Sequence, residues 1–322
     1  MNPHRAQHNR LGLALGSGAA RGLAHIGVLK VLEQENVPVS CIAGTSIGAL
    51  IGALYAAGVS VAQMEDVARN VDWQKMAGLI DPIIPTSGLI DGKKVSQFIS
   101  ELLPVETFEE LRIPLAVVTT DVESGEMLII KRGLLREALR AAVSFPGLFT
   151  PVRFAGRFLV DGGLCNPVPV DVARALGADR VIGVCAIPEV EKRPQEAFVP
   201  SKHQDDQPKN FLLDFFNSEM VEKILRDIWR PNERSEKSRS EKNPPDKWRK
   251  PPGMLKIFAQ SIAIMENEIN TLRLERDEAD LLIRPELNGI TLLEFHKAEQ
   301  AIRSGERATR EKIAHIHSLC SN

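Results

Sequence analysis

Gly44, Ser46 and Gly48 occupy alternate positions in the segment Gly44-Thr45-Ser46-Ile47-Gly48. A G-x-S-x-G spacing sets a serine on a strained strand-to-helix corner with its hydroxyl clear of the sheet. The flanking glycines are needed because a Cβ at either position would strike the neighbouring strand or helix. A helix starting beneath the serine favours negative charge developing there. Such a serine is a candidate nucleophile, and it requires a base. A second segment, Gly16-Ser17-Gly18-Ala19-Ala20-Arg21-Gly22, is built of small residues whose backbone N–H groups can point outward as an oxyanion hole. Its rival reading is a dinucleotide loop. For that reading the third glycine, Gly22, comes one position late, and the next strand runs into Gly44 where an acidic ribose ligand belongs.

Seven histidines are available as bases. His4 and His8 lie at the N-terminus, His203 in a polar stretch, and His315 and His317 close to the C-terminus. His25 sits inside the first helical pattern and reads as a packed helix residue. His296 follows the last strand pattern, as a Ser-Asp-His chain order would place it, but within a helix-like run. Asp161 directly follows the strand-like Phe158-Leu159-Val160 and precedes Gly162-Gly163. It reads equally as a base delivered to the edge that carries Ser46 and as a turn aspartate bonding its own backbone. The four cysteines, widely spaced, show no metal-ligand spacing.

The elements that must position these groups follow a strand–helix alternation. Residues 11–15 (LGLAL) read as a buried strand, 22–35 as a helix, Val37–Ala43 as a second strand and 47–57 as an almost wholly apolar helix. Strand, crossover and strand within this length imply parallel pairing, so the glycine loop and Ser46 share one edge of the sheet, where ligands bind in α/β folds. Strands are expected at 115–120, 127–131, 157–160 and 180–186, and helices at 133–143 and 169–176. After a polar stretch, a helix near 254–278, a strand at 280–284 and a helix from Thr291 are expected. The fold class is α/β, a mainly parallel central sheet with helices on both faces.

The 322 residues are 43% hydrophobic and 25% charged, as expected of a chain with a packed core. Forty Lys and Arg against 42 Asp and Glu give a net charge of −2, which argues against nucleic-acid binding. No apolar run reaches the ~18 residues of a membrane span. Arg5 and Arg10 before Leu11–Ala20 mimic a signal peptide, but the run holds three glycines and continues into Arg21-Gly22, which suits a buried strand and turn better. Localisation is therefore expected to be cytoplasmic, with Cys41, Cys165, Cys185 and Cys320 as reduced thiols. Cys165, four residues after Asp161, reads as a small buried filler.

Domain organisation is expected as a flexible 1–10, a core over 11–187, a polar, Pro-rich insert over 188–253, and a helix–strand–helix over 254–322 completing the same domain. Residues 230–252 hold five prolines and eight basic against four acidic residues. Within 208–229, Leu212, Phe216, Met220, Ile224 and Ile228 recur every fourth residue. That stripe reads as an amphipathic helix that packs on the body or on a second subunit, with a peripheral contact with lipid at the inner membrane face as the alternative.

The order GSGAARG, GTSIG, DGG, with LGLALGSGAARGLAHIGVLKVLE around the first, resembles the patatin-like phospholipase family. The likeness is to small bacterial members related to the neuropathy target esterase catalytic domain. It runs over about residues 11–187 and again from about 254 through LLIRPELNGI and TLLEFHKAEQAI. The resemblance implies a Ser–Asp dyad, with Ser46 as nucleophile and Asp161 as base. It implies an oxyanion and substrate-binding loop of Gly16, Ser17, Gly18, Ala19, Arg21 and Gly22, with Gly18 and Ala19 as amide donors. Gly44, Gly48, Gly162 and Gly163 are its turn glycines. It implies a lipid or acyl-ester substrate, hydrolysed as by a phospholipase or lysophospholipase, and no cofactor or metal. An unperturbed aspartate is a weak base for a hydroxyl, so this scheme needs a short Ser46–Asp161 hydrogen bond and a partly dry site. Ser144-Phe145-Pro146-Gly147 is placed to line an acyl pocket. Two other readings stand beside it: a regulator or adaptor on the same fold with little turnover, and a nucleotide-binding protein using the 16–22 loop.

Overall fold

The computed structural model describes residues 9–71, 78–79, 81, 88–187 and 254–321. Its sheet is organised by β1 (Leu11–Leu15), whose alternation of large and small residues creates two unlike faces. Leu11, Leu13 and Leu15 are fully buried in one apolar layer, each contributing ~1.5–3 kcal/mol by burial. Gly12 and Ala14 turn to the other face, where a Cβ on Gly12 would come within 2.6 Å of the Ala178 Cβ. Small residues there let a layer of Val168, Val170 and Ala173 lie close to the strands.

β2 (Cys41–Thr45) and β7 (Arg180–Val184) flank β1 in parallel, β3 (Leu115–Asp121) continues parallel beyond β2, and β8 (Leu281–Ile283) continues beyond β7. The remaining strands, β4 (Met127–Ile130), β5 (Val152–Phe154) and β6 (Arg157–Asp161), pair antiparallel. The hydrogen-bonded order is β5-β6-β3-β2-β1-β7-β8, with β4 also on β3. On the large-residue face lie α1 (Ala24–Gln34), α2 (Ile47–Ala56), α3 (Val61–Arg69), α4 (Lys93–Leu102), α5 (Leu135–Ala142), α8 (Ala298–Arg310) and α9 (Ile313–Ser321). On the small-residue face lie α6 (Val170–Ala175) and the C-terminal half of α7 (Met254–Arg276). The expected architecture, an α/β sheet with helices on both faces, is the one observed.

Several boundaries differ from the pattern reading. The first helix is preceded by a 3-10 turn over Ala19–Leu23. The second strand starts at Cys41, not Val37, and runs to Thr45. Between residues 58 and 114, where the pattern assigns nothing, the described residues include α3 and α4. The helix expected from Thr291 begins at Ala298, after a 3-10 turn at Phe295–Lys297. Residues 1–8 and 188–253, with the stripe at 208–229 and His4, His8 and His203, lie outside the described residues.

The pairing of β3 positions the site. Val118 pairs with Thr45 of β2 on one side and Ile129 of β4 on the other. The next residue, Thr119, pairs with Asp161 of β6 and Leu128 of β4. Since β4 takes one edge throughout, β2 and β6 share the opposite edge end to end. The last residue of β2 and the last residue of β6 are thus neighbours along one strand.

Candidate active site

Ser46 stands where β2 turns into α2. It is held at φ 55°, ψ −126°, a backbone region that costs a non-glycine residue ~1–3 kcal/mol. The turn is tight enough that a Cβ on Gly44 would come within 2.4 Å of the Ala49 Cα, and one on Gly48 within 2.2 Å of the Leu15 carbonyl oxygen. Thr45 braces the corner by donating its hydroxyl to the Asn166 carbonyl at 2.8 Å.

Asp161 ends β6 and caps the 3-10 turn Gly162–Leu164. The Ser46 hydroxyl donates to Asp161 Oδ2 at 2.6 Å, across 115 positions of chain. The Gly163 N–H donates to Oδ1 at 2.8 Å, fixing the carboxyl plane. The Asp161 N–H donates to the Ser144 carbonyl at 3.0 Å, and the buried Arg140 guanidinium donates to the Ser144 hydroxyl. Burial first, and then the nearby Glu266 carboxylate, push the Asp161 pKa from the usual 3.8 up to about 7. The Ser46 and Gly163 hydrogen bonds pull the other way.

The glycine loop divides in two. Gly16 donates its N–H to Val184, Ser17 to Pro167, Ala20 to Leu292 and Arg21 to Gly18. Among the described residues no acceptor takes the Gly18 and Ala19 N–H groups, and both residues line the cavity beside Ser46. Ala19 sits at φ 50°. Ser17 also borders the cavity, but Gly16, Arg21 and Gly22, expected there, do not. The Gly16 carbonyl accepts from His25 Nε2 at 2.8 Å, and a Cβ on Gly22 would meet Ile47 Cγ2 at 2.1 Å. Arg21 is buried and donates through Nε to the Ile290 carbonyl at 2.7 Å; burial lowers its pKa to about 9. These three shape the loop from behind.

No histidine bonds Ser46 among the described residues. His25 is fully buried, its ring held neutral by a pKa lowered to about 4 through burial. His296 is exposed on the turn before α8. Cys165, read as a buried filler, is half-buried, its thiol donating to the Gly125 carbonyl. Among the described residues no group of His, Cys, Asp and Glu could hold a metal ion.

Ser46 opens into a cavity of about 300 Å³, within the range of small-molecule sites. Ile47, Leu50, Ile51 and Leu54 form one wall along α2; Val95, Phe98, Ile99 and Leu102 form another along α4. This explains why α2 is apolar all round: one side packs on the sheet and the other faces the cavity. Phe145 from the 144–147 segment lines it, together with Leu148 and Phe149.

One carboxylate at this site has no counterpart in the sequence reading. Glu266 of α7 reaches the cavity wall and accepts a hydrogen bond from the Ser17 hydroxyl. Within the helical pattern it looks like its neighbour Glu268, which is exposed. Only the docking of α7 separates the two.

The fold and this site define an α/β protein with a serine and an aspartate bonded at one sheet edge over an apolar cavity. The patatin-like phospholipase family model matches residues 13–174, and the chain belongs to that family. It is 35% identical over 175 residues to an uncharacterised NTE family protein of Mycobacterium tuberculosis, covering 54% of this chain and 48% of that one. It is 38% identical over 183 residues to the human patatin-like phospholipase domain-containing protein 6, covering 55% of this chain and 13% of that one. The chain thus spans about half the length of the mycobacterial relative it matches, and a small part of the human one. The crystal structure of VipD from Legionella pneumophila is similar at a TM-score of 0.48 and 14% identity, over 96% of this chain and 67% of that one.

Proposed function

We propose that the protein is a serine acyl-ester hydrolase acting on lipid esters, of the phospholipase A or lysophospholipase type, with Ser46 as nucleophile and Asp161 as general base. The observation that carries this reading is the 2.6 Å hydrogen bond from Ser46 to Asp161 at the mouth of the apolar cavity. The family membership and the raised Asp161 pKa support it.

In this reading the acyl chain lies along α2 and the ester carbonyl faces the Gly18 and Ala19 N–H groups. Ser46 Oγ attacks the carbonyl carbon and Asp161 Oδ2 takes its proton. The two backbone donors hold the oxyanion; one such donor is typically worth ~10²–10³ in rate. As the tetrahedral intermediate collapses, the proton passes to the leaving alkoxide and an acyl-Ser46 ester remains. Asp161 then removes a proton from water, which attacks the acyl carbon; as this second intermediate collapses, the acyl–Oγ bond breaks and the proton passes from Asp161 back to Ser46 Oγ, releasing the acid. An aspartate near pKa 7 is matched to both transfers at neutral pH. Burial, with the Glu266 carboxylate nearby, keeps it there.

Incubation with a fluorophosphonate probe, followed by a panel of phospholipids, lysophospholipids and simple esters, tests the reading. Labelling of Ser46 in the wild type, its loss in Ser46→Ala, and lipid ester turnover are expected. A wild-type protein that neither labels nor hydrolyses any ester in the panel would overturn it in favour of a non-enzymatic role.

A further inference from the structure

The glycine loop is fastened to the chain beyond residue 253 at three points. The Ser17 hydroxyl donates to Glu266, the Ala20 N–H donates to the Leu292 carbonyl at 3.0 Å, and Arg21 Nε donates to the Ile290 carbonyl at 2.7 Å. All three acceptors lie beyond the stretch that the family model matches. Glu266 is distinctive among them because its carboxylate touches both halves of the site. One side holds Ser17, next to the Gly18 donor. Glu266 Oε1 also lies so close to Gly163 that a Cβ on that glycine would approach it to 2.6 Å, and the same Cβ would stand 3.2 Å from Asp161 Oδ1. The two carboxyl groups therefore share the space around one glycine.

We propose that Glu266 is a positioning residue of the Ser46–Asp161 site: from α7 it seats the 16–18 loop through Ser17 and sets a carboxylate beside Gly163 that acts on Asp161. The inference rests on Ser46 and Asp161 being the reacting pair. Its loop role comes from the hydrogen bond, because a seated Ser17 holds the Gly18 N–H toward the cavity. Its second role is electrostatic. A like charge close to a buried carboxylate disfavours ionisation, so Asp161 becomes the stronger proton acceptor. Burial also raises the Glu266 pKa, with the Ser17 hydrogen bond and the Arg21 charge opposing. Among the described residues the cation that acts on Glu266 is Arg21, itself under the charge of Glu294, while Arg273 of α7 is near Asp171 and donates to the Cys165 carbonyl. His25 behind the loop is neutral. The absence of a Cβ at Gly163 is what lets the two carboxyls approach.

The test is a carboxyl ¹³C NMR titration of the full chain, with Asp161 assigned through Asp161→Asn. In the wild type the Asp161 resonance is expected to titrate in two steps, since coupled carboxyls share their macroscopic midpoints. In Glu266→Gln, which keeps an oxygen for Ser17 but removes the charge, one step is expected, with a midpoint lower by about half a pH unit or more. The acid limb of kcat/KM for a short-chain ester should shift by the same amount, with KM nearly unchanged. Single-step titration in the wild type, or an unmoved midpoint in the variant, overturns the inference. Both readings are independent of turnover. Failure of Ser46 to label with fluorophosphonate would instead overturn the hydrolase reading.

Discussion

Asp161 carries its proton in the folded protein over a pH range where a free aspartate would have lost it. Its pKa is pushed to about 7 from the usual 3.8, mainly by burial. In the proposed mechanism the carboxylate is the reacting form, so kcat/KM for a short-chain ester should fall tenfold per pH unit below about 7; a rate flat down to pH 5 would place the base elsewhere. The stability consequence has the opposite sign. Between the two values the folded state holds a proton that the unfolded chain releases, so stability contributed by this group is lost as pH rises through the window. Asp161→Asn removes that cost. It should abolish turnover yet be more stable than the wild type at pH 8, by on the order of a few kcal/mol at most, with the gap closing toward pH 4 in calorimetry. Ser46→Ala should abolish turnover as well. His296→Ala should leave kcat/KM within a factor of about two, since its ring is exposed and Ser46 already has a partner. The G-x-S-x-G corner was fully legible in sequence because its glycines answer to local sterics. Asp161 was ambiguous there: its bond to the Gly163 N–H is the turn contact any such aspartate makes, and only Ser46 on the other oxygen distinguishes it.

At the scale of elements, α2 and α4 wall the cavity, and their apolar faces decide what fits. Leu50→Trp fills the space next to Ser46, and at ~0.8 kcal/mol per buried methylene it should lower the kcat/KM ratio of a dodecanoyl to a butyryl ester at least about tenfold. An unchanged ratio in a chain-length series would show that the acyl chain lies elsewhere. The α1–α8 crossing depends on two glycines facing each other's backbones. A Cβ on Gly305 would come within 2.0 Å of the Ala24 carbonyl, and one on Gly27 within 2.0 Å of the Ile302 carbonyl. Gly305→Ala should therefore destabilise by ~1–3 kcal/mol or more in urea unfolding. α3 and α4 were readable in principle. Ser60 and Gln63 form a capping box that announces α3, and Val95, Phe98, Ile99 and Leu102 trace one stripe on α4. The strand at Cys41 shifted from its expected start because Pro38 and the polar residues near it leave Cys41–Thr45 as the stretch buried beside β1.

For the whole molecule, the segment after 253 supplies β8 at the sheet edge, α8 across α1, and the contacts that seat the glycine loop. We propose that it completes one domain with the core. A chain cut after residue 187 should then fail to give a monodisperse, cooperatively melting species by size exclusion and circular dichroism. A truncated chain that melts sharply and still labels at Ser46 would make the C-terminal part dispensable. Among the described residues no helix is long and apolar enough to cross a membrane.

What sequence alone determined here is whatever depends on neighbours in the chain. That covers the alternating strand β1, the serine on its corner, the glycine loop, and an α/β class from the order of elements. What tertiary structure decided is everything that depends on a meeting of distant segments. Ser46 and Asp161 touch because β2 and β6 end against each other on one edge of β3, a pairing no local pattern encodes. Glu266 joins them because α7 packs where it does, bringing residue 266 to residue 17. Side-chain type is set by the chain; the buried surroundings that raise an ordinary aspartate's pKa to about 7 exist only once the fold has closed around it.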